Sequence, residues 1–322
     1  MVKTIRKLTI IYIRELLRWF YWGPFRIIVR LLPKRMTYSL MNPTGIFLYL
    51  INREKGRQIR SWIESLPVKT VGSVFKKEVL NTFVFYCKNS LDTLLYPMVN
   101  SHNISDIVEY VRMENLDSVL SRGKGAIILY PHFGNEEFLM PALGYKGYRV
   151  NQVASRWEPT YLMGKEYRLA NKIRKYAYKM RIRTRERLPV NFVYVDKGIR
   201  DIFRLLSRNE IILLSIDGRE GKGWAEVKFL GKKALISTGP MKLALLSGGS
   251  PVIPAFIIRK HQYRHTLTFL EPFELKVTGD MEKDIAYNTK RFLSLLEPFI
   301  IQYLSQYAKF ILFDVKLFNE EK

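Results

Sequence analysis

The hydrophobic pattern of this 322-residue chain changes character near residue 120. Before it, apolar positions recur at helical spacing, as in Val74–Tyr96, where Phe75, Val79, Phe83 and Tyr86 share a face. After it come short apolar runs that predict strands: Ala126–Tyr130 behind Gly123 and Gly125, Arg149–Ala154, Glu210–Ile216 ending at Asp217-Gly218, Pro251–Ile258 and Thr266–Leu270. Helical stretches lie between them at Pro159–Met180, Ile199–Arg208 and Pro240–Leu246. Strands alternating with helices predict an α/β fold, a β-sheet flanked by helices. Sites in such sheets gather at the carboxyl ends of strands. No internal repeat and no long linker divides the chain. The expected organisation is a helical, membrane-associating region over 1–52 and an α/β domain over 53–322, its residues 53–120 mainly helical.

The first helix is patterned on two sides. At 100° per residue, Lys3, Lys7, Arg14 and Arg18 fall within about 60° of one another. Ile5, Leu8, Tyr12, Leu16 and Trp19 fall opposite, and Pro24 discourages continuation. Such a helix suits either the plane of a membrane interface or a soluble core. The scarcity of acids favours the interface, since Glu15 stands alone before residue 54. Residues 36–52 form an uncharged run of 17 interrupted by Asn42-Pro43-Thr44-Gly45. That is short for a membrane span, and the breakers predict a buried or interfacial pair of helices.

Composition narrows the partners without choosing one. Lys and Arg number 53 against 29 Asp and Glu, a net charge of +24. An excess of this size calls for nucleic acid, an anionic membrane or an acidic protein. Ten Lys or Arg against two Glu crowd residues 165–187, with Leu169, Ile173, Tyr176 and Met180 beside them. This stretch reads as a core-packed helix with a solvated basic face, or as a face for anionic lipid or an acidic carrier protein. Neither a zinc-finger nor an RNA-binding signature is present, so nucleic acid is not an expected partner. The single cysteine, Cys87, excludes an intramolecular disulfide and Cys-based metal sites, and fits a reducing compartment. His261 and His265 lack the accompanying Glu of a metalloprotease helix, and no metal is expected.

The most informative segment is Tyr130-Pro131-His132-Phe133-Gly134-Asn135-Glu136-Glu137, which follows the first predicted strand. Gly134 permits a tight turn, and Asn135 is a good N-cap that places Glu136 and Glu137 in a first helical turn. With His132 on the loop and Glu137 on that turn, the two side chains can meet. A carboxylate on one imidazole nitrogen would then leave the other to take a proton from a hydroxyl. The spacing equally permits a His that caps a helix and a Glu that favours its dipole.

This block resembles the His-x-x-x-x-Asp/Glu signature of glycerolipid acyltransferases. It is most similar to the lipid A biosynthesis (late) acyltransferase family, whose usual form is His-Phe-Gly-Asn-Trp-Glu; here Glu136 stands in place of Trp. Val150–Arg156, Glu210–Asp217, Val227–Gly231 with Thr238-Gly239-Pro240, and Gly249–Pro254 resemble later blocks of the family in order. The resemblance implies a mixed sheet flanked by helices. It also implies transfer of a fatty acyl chain from an acyl-carrier-protein or coenzyme A thioester to a hydroxyl of an anionic glycolipid or lysolipid, with no resident cofactor. His132 would be the general base and Glu137 its orienting carboxylate. Asn135, Arg156, Arg219 and Asp217 are expected near the substrate, the arginines as holders of phosphate, while Asp217 reads locally as a loop organiser or cap. The expected location is the cytoplasmic face of a bacterial inner membrane, peripheral or shallowly inserted through the N-terminus, with membrane lipids and acyl carrier protein as partners. The competing expectations are a non-catalytic lipid-binding protein on the same scaffold and a basic nucleic-acid-binding protein.

Overall fold

The computed structural model describes residues 2–322 except 68–71, 155–161, 165–166, 195–198, 219–222, 314–317 and 319–322. The chain opens with helices α1 (Val2–Phe20), α2 (Arg26–Leu31), α3 (Lys34–Ile51), α4 (Arg53–Glu64) and α5 (Gly72–Leu95). Short helices α6 (Ile104–Ile107) and α7 (Met113–Leu120) flank strand β1 (Val108–Val111). Then follow β2 (Ala126–Tyr130), α8 (Leu139–Gly144), β3 (Val150–Ala154), α9 (Arg168–Arg185), β4 (Asn191–Tyr194), α10 (Ile199–Ser207) and β5 (Ile211–Ser215). A hairpin of β6 (Trp224–Phe229) and β7 (Lys232–Ser237) precedes α11 (Gly239–Leu246), β8 (Val252–His261) and β9 (Arg264–Phe269). The chain ends in α12 (Met281–Gln302), α13 (Leu304–Tyr307) and α14 (Lys309–Leu312).

Seven strands form one sheet in the order β1-β9-β8-β2-β5-β3-β4, and β6-β7 stands apart. Every neighbouring pair in the large sheet is parallel except β8 with β9, so the sheet is mixed. β2 lies at its centre with all five residues buried, as a strand covered on both faces must be. Apolar clusters fill both sides. Ile127, Leu129, Ile212 and Leu214 join α4, α10, α11 and α12 on one face; Ile128, Tyr130, Leu213 and Ile253 join α7 and α8 on the other. The five predicted strands form within a residue or two of expectation, β8 running on to His261. β1, β4, β6 and β7 are additional, short or polar enough to carry little periodic signal.

Three helical expectations change. The helix expected over Pro159–Met180 begins at Arg168 and runs on to Arg185. Residues 36–52 contribute to one helix, α3, with Pro43 inside it. Gly45 is a packing device there: a Cβ would sit 2.6 Å from the Val84 backbone of α5, so the glycine lets the helices touch. The first helix also passes Pro24 through a wide turn, Tyr21–Phe25, kinked at Gly23, before α2 begins.

Helix α1 packs on α9, and its buried side chains, among those described, are Ile11 and Glu15, while Arg14 is exposed. Glu15 is fully buried and pairs with Arg174 of α9, its guanidinium donating from Nε at 2.9 Å and from a terminal nitrogen at 2.7 Å. Arg18 pairs with the same carboxylate. Leu16, Leu17, Trp19 and Phe20 are left exposed. A core-packed amphipathic helix would do the opposite. Among the described residues, sixteen exposed large apolar side chains lie between Ile10 and Ile51 and seven in all the rest. No helix among the described residues is long and apolar enough to cross a membrane.

The α3–α5 contact yields a stability prediction. Gly45→Ala should lower the unfolding free energy by about 1–3 kcal/mol, the cost of overpacking. Chemical denaturation would read this as a shifted midpoint at unchanged slope.

Candidate active site

Two neighbouring strand ends create the site. In the β2–β5 register Tyr130 pairs with Ser215, an offset of 85 residues. Each chain then runs two residues further, and the same offset sets His132 against Asp217. The His132 Nδ1–H donates to Asp217 Oδ1 at 2.7 Å, and the His132 backbone N–H reaches the same carboxylate at 2.9 and 3.1 Å. Asp217 therefore fixes both the loop and the ring, leaving Nε2 as the proton acceptor. The aspartate is buried, while 45 % of the His132 side chain is open. Burial alone would depress the imidazole, but Asp217, by charge and hydrogen bond, and Glu136 push it up to about 9 against opposition from Lys309.

This corrects the expected His132–Glu137 pairing. Glu137 lies in the tight turn Glu136–Phe138, which faces α9. Its carboxylate accepts from Arg181 at 3.0 Å, with Arg185 at 3.8 Å. Burial would raise its proton affinity, but the two arginines hold it below the usual carboxylate range. The turn is tight because Gly134 has φ +66°, and a Cβ would strike the Ile257 carbonyl oxygen of β8 at 1.7 Å. That close approach lets the Asn135 N–H donate to Ile257 O at 3.0 Å, stitching the loop to the sheet.

Asn135 does not cap the turn with its side chain. It is buried and donates to Asp92 of α5 at 2.5 Å, with His265 Nε2 at 3.3 Å. Asp92 also pairs with Arg259 of β8 and accepts from the Tyr38 hydroxyl. Arg259 reaches Asn89 at 2.8 Å, and Asn89 donates to the Gly134 carbonyl at 3.2 Å. Lys309 of α14 donates to that carbonyl at 2.6 Å and pairs with Glu136. The Glu136 charge is thus neutralised by a buried lysine. A cavity of about 550 Å³ adjoins this loop, walled by Glu136, Glu137, Arg181, Tyr21, Tyr86 and Phe313 among others.

His132 and Asp217 are therefore brought together, with Glu137 and Asn135 on the flanking turn. Arg156 and Arg219 lie outside the described residues. No metal-binding group of His, Cys, Asp and Glu is found among the described residues. His265 is buried beside Asp92, whereas His261 is exposed at the end of β8. Sequence reasoning passed over Lys309, Asp92 and Arg259, which lie far from the block and carry no local motif. The equal distance of His132 and Asp217 from their strand ends was the one available signal for that pair.

A central mixed sheet thus carries a His/Asp pair at adjacent strand ends, and the turn that follows His132 borders a cavity lined by the basic helix α9. Residues 4–311 match the family described as bacterial lipid A biosynthesis acyltransferase, and the chain belongs to that family. It is also similar to the phosphatidylinositol mannoside acyltransferase of Mycobacterium tuberculosis (strain ATCC 25618 / H37Rv), at 26% identity over 160 residues. The match covers 48% of this chain and 46% of that relative, so the chain spans about half the relative's length.

The pairing predicts a titration. In Asp217→Asn the His132 imidazole should fall from about 9 toward the ordinary value near 6.5, as followed by NMR of the ring protons.

Proposed function

We propose that this acyltransferase moves a fatty acyl chain from an acyl-carrier-protein or coenzyme A thioester to a hydroxyl of an anionic glycolipid or a lysolipid, with lipid A precursors and mannosylated lipids as candidate glycolipid acceptors. The observation that carries the reading is the 2.7 Å bond from His132 to buried Asp217, on a ring whose other edge is open. His132 Nε2 takes the proton of the acceptor hydroxyl as its oxygen attacks the thioester carbonyl. The tetrahedral intermediate collapses, the C–S bond breaks, and the imidazolium returns its proton to the departing thiolate. The products are an ester and a free thiol, without a covalent enzyme intermediate. Asp217 stabilises the imidazolium and fixes its tautomer. Glu137 acts through Arg181 and Arg185, holding the turn that follows His132 against α9. Arg156 and Arg219 remain candidates for contact with acceptor phosphate or donor.

The same reading places the protein on a membrane surface, at the cytoplasmic face of a bacterial inner membrane. The exposed apolar side chains of α1–α3 support this, because patches of that kind mark interaction sites. Basic helices nearby would add attraction to anionic lipid, and the unpaired, buried Cys87 fits a reducing compartment.

Acyl transfer tests the chemistry. His132→Ala should abolish transfer from labelled donor into extracted lipid with the fold retained by circular dichroism, and Asp217→Asn should reduce it by about 10²-fold or more. Because a general base works unprotonated, kcat/KM should rise with pH, pass half its plateau near pH 9 and level off above that in the native protein. In Asp217→Asn the plateau should arrive at lower pH and lower height. Transfer by a folded His132→Ala variant at the native rate would overturn the assignment.

The membrane reading has its own measurement. Leu16→Glu/Leu17→Glu alters two exposed side chains and should leave the melting temperature unchanged. Co-sedimentation with phosphatidylcholine vesicles should fall at least tenfold, since each change removes apolar area and adds a charge.

A further inference from the structure

A second cavity, about 220 Å³, lies between α2 and α9. Arg26 and Arg30 wall it from α2, Arg183 and Thr184 from α9, and Arg187 from just beyond. The arginines form two i,i+4 pairs, one on α2 and one at and just beyond the end of α9, and all four border one space. Arg30 is anchored by two bonds to the Leu94 carbonyl, at 3.0 and 2.8 Å. Arg26 Nε is shut off from water without an acceptor. Among the described residues no carboxylate pairs with any of the four. Burial and the charges of Arg26 and Arg187 lower the proton affinity of Arg30. Arg26 and Arg30 are half-buried and Arg183 and Arg187 exposed, so an anion entering the cavity would meet cations from both sides and no carboxylate among the described residues.

We propose that this cavity binds a phosphate group, the element shared by an anionic lipid headgroup and a free phosphate ester. Guanidinium forks match phosphate oxygens in pairs, and two helices supply them from opposite walls. On α9, the residues lining this cavity are turned about 120° from Arg174, Ala177, Tyr178 and Arg181, which line the larger one. The site is thus separate from the His132 loop and does not depend on the proposed reaction. Ile27, Ile28 and Leu31 are exposed on α2 itself, next to the arginines. A headgroup seated in the cavity would leave its chains beside this apolar strip.

The test uses the full chain and Arg183→Gln/Arg187→Gln, whose altered side chains are exposed. Lys76→Gln/Lys77→Gln serves as a charge-matched control, since these exposed lysines lie near the opposite end of α5, about 30 Å from Pro97 at the cavity. One probe is sodium phosphate against sodium chloride at equal ionic strength, read by thermal shift. The other is phosphatidylcholine vesicles with and without phosphatidic acid, read by co-sedimentation. Expected are saturable stabilisation by phosphate and preference for the phosphatidic acid vesicles, both weakened about tenfold or more in the arginine variant and unchanged in the control. A response to vesicles alone, lost in the arginine variant, would assign the site to a lipid headgroup. A response to inorganic phosphate alone, lost likewise, would assign it to a soluble phosphate ester. If the arginine variant matches the lysine control with both probes, the proposal fails.

Discussion

Arg259 of β8 and Asp92 of α5 form an ion pair almost wholly removed from water, and the loop after His132 is built on it. Two charges leave water only at a cost, which excellent geometry and further hydrogen bonds must offset. Tyr38 from α3, Asn89 from α5, Asn135 from the loop and His265 from β9 supply those bonds. Burial alone would raise the Asp92 carboxyl, yet Arg259 and His265 hold it below the usual range. One charged centre therefore joins the helical layer, the sheet and the segment after His132. Removing either partner would strand the other charge, which is the expensive way to break such a pair.

The loop is gripped from three further sides. Asp217 takes its start, β8 accepts from its middle at Asn135, and Lys309 with Arg181 holds its acidic end. Each partner comes from a different part of the chain, so the position of His132 reports the assembly of the whole molecule. The proposed role of His132 as proton acceptor would need such over-determination, because small displacements of reacting groups cost large factors in rate.

Charge is distributed with the same economy. Part of the +24 neutralises the few acids near the site, through Arg174, Arg181, Arg259 and Lys309. A different part collects at the α2–α9 cavity, where it faces no acid among the described residues. Helix α1 sits between these uses. It buries Glu15 and Ile11 and turns Leu16, Leu17 and Trp19 outward, an orientation that a wheel diagram could not assign.

Much was legible in sequence. Central strands such as β2 and β5 are continuous apolar runs bounded by Gly and Asp, and strong local signals of that kind survive tertiary context. The histidine block also announced itself through Gly134, whose turn forms, although Asn135, expected as a cap, instead bonds to Asp92. What the tertiary structure decided was partnership. Whether His132 meets Glu137 or Asp217 depends on which strand lies beside β2, and pairing across 85 residues leaves no local trace. Nor could local pattern show that Gly45 and Pro43 sit inside a single helix, since the close approach of α5 makes the glycine useful there. Hydrophobic periodicity is set by the nearest few residues, whereas ion pairs and site geometry are set by which surfaces happen to be adjacent after folding.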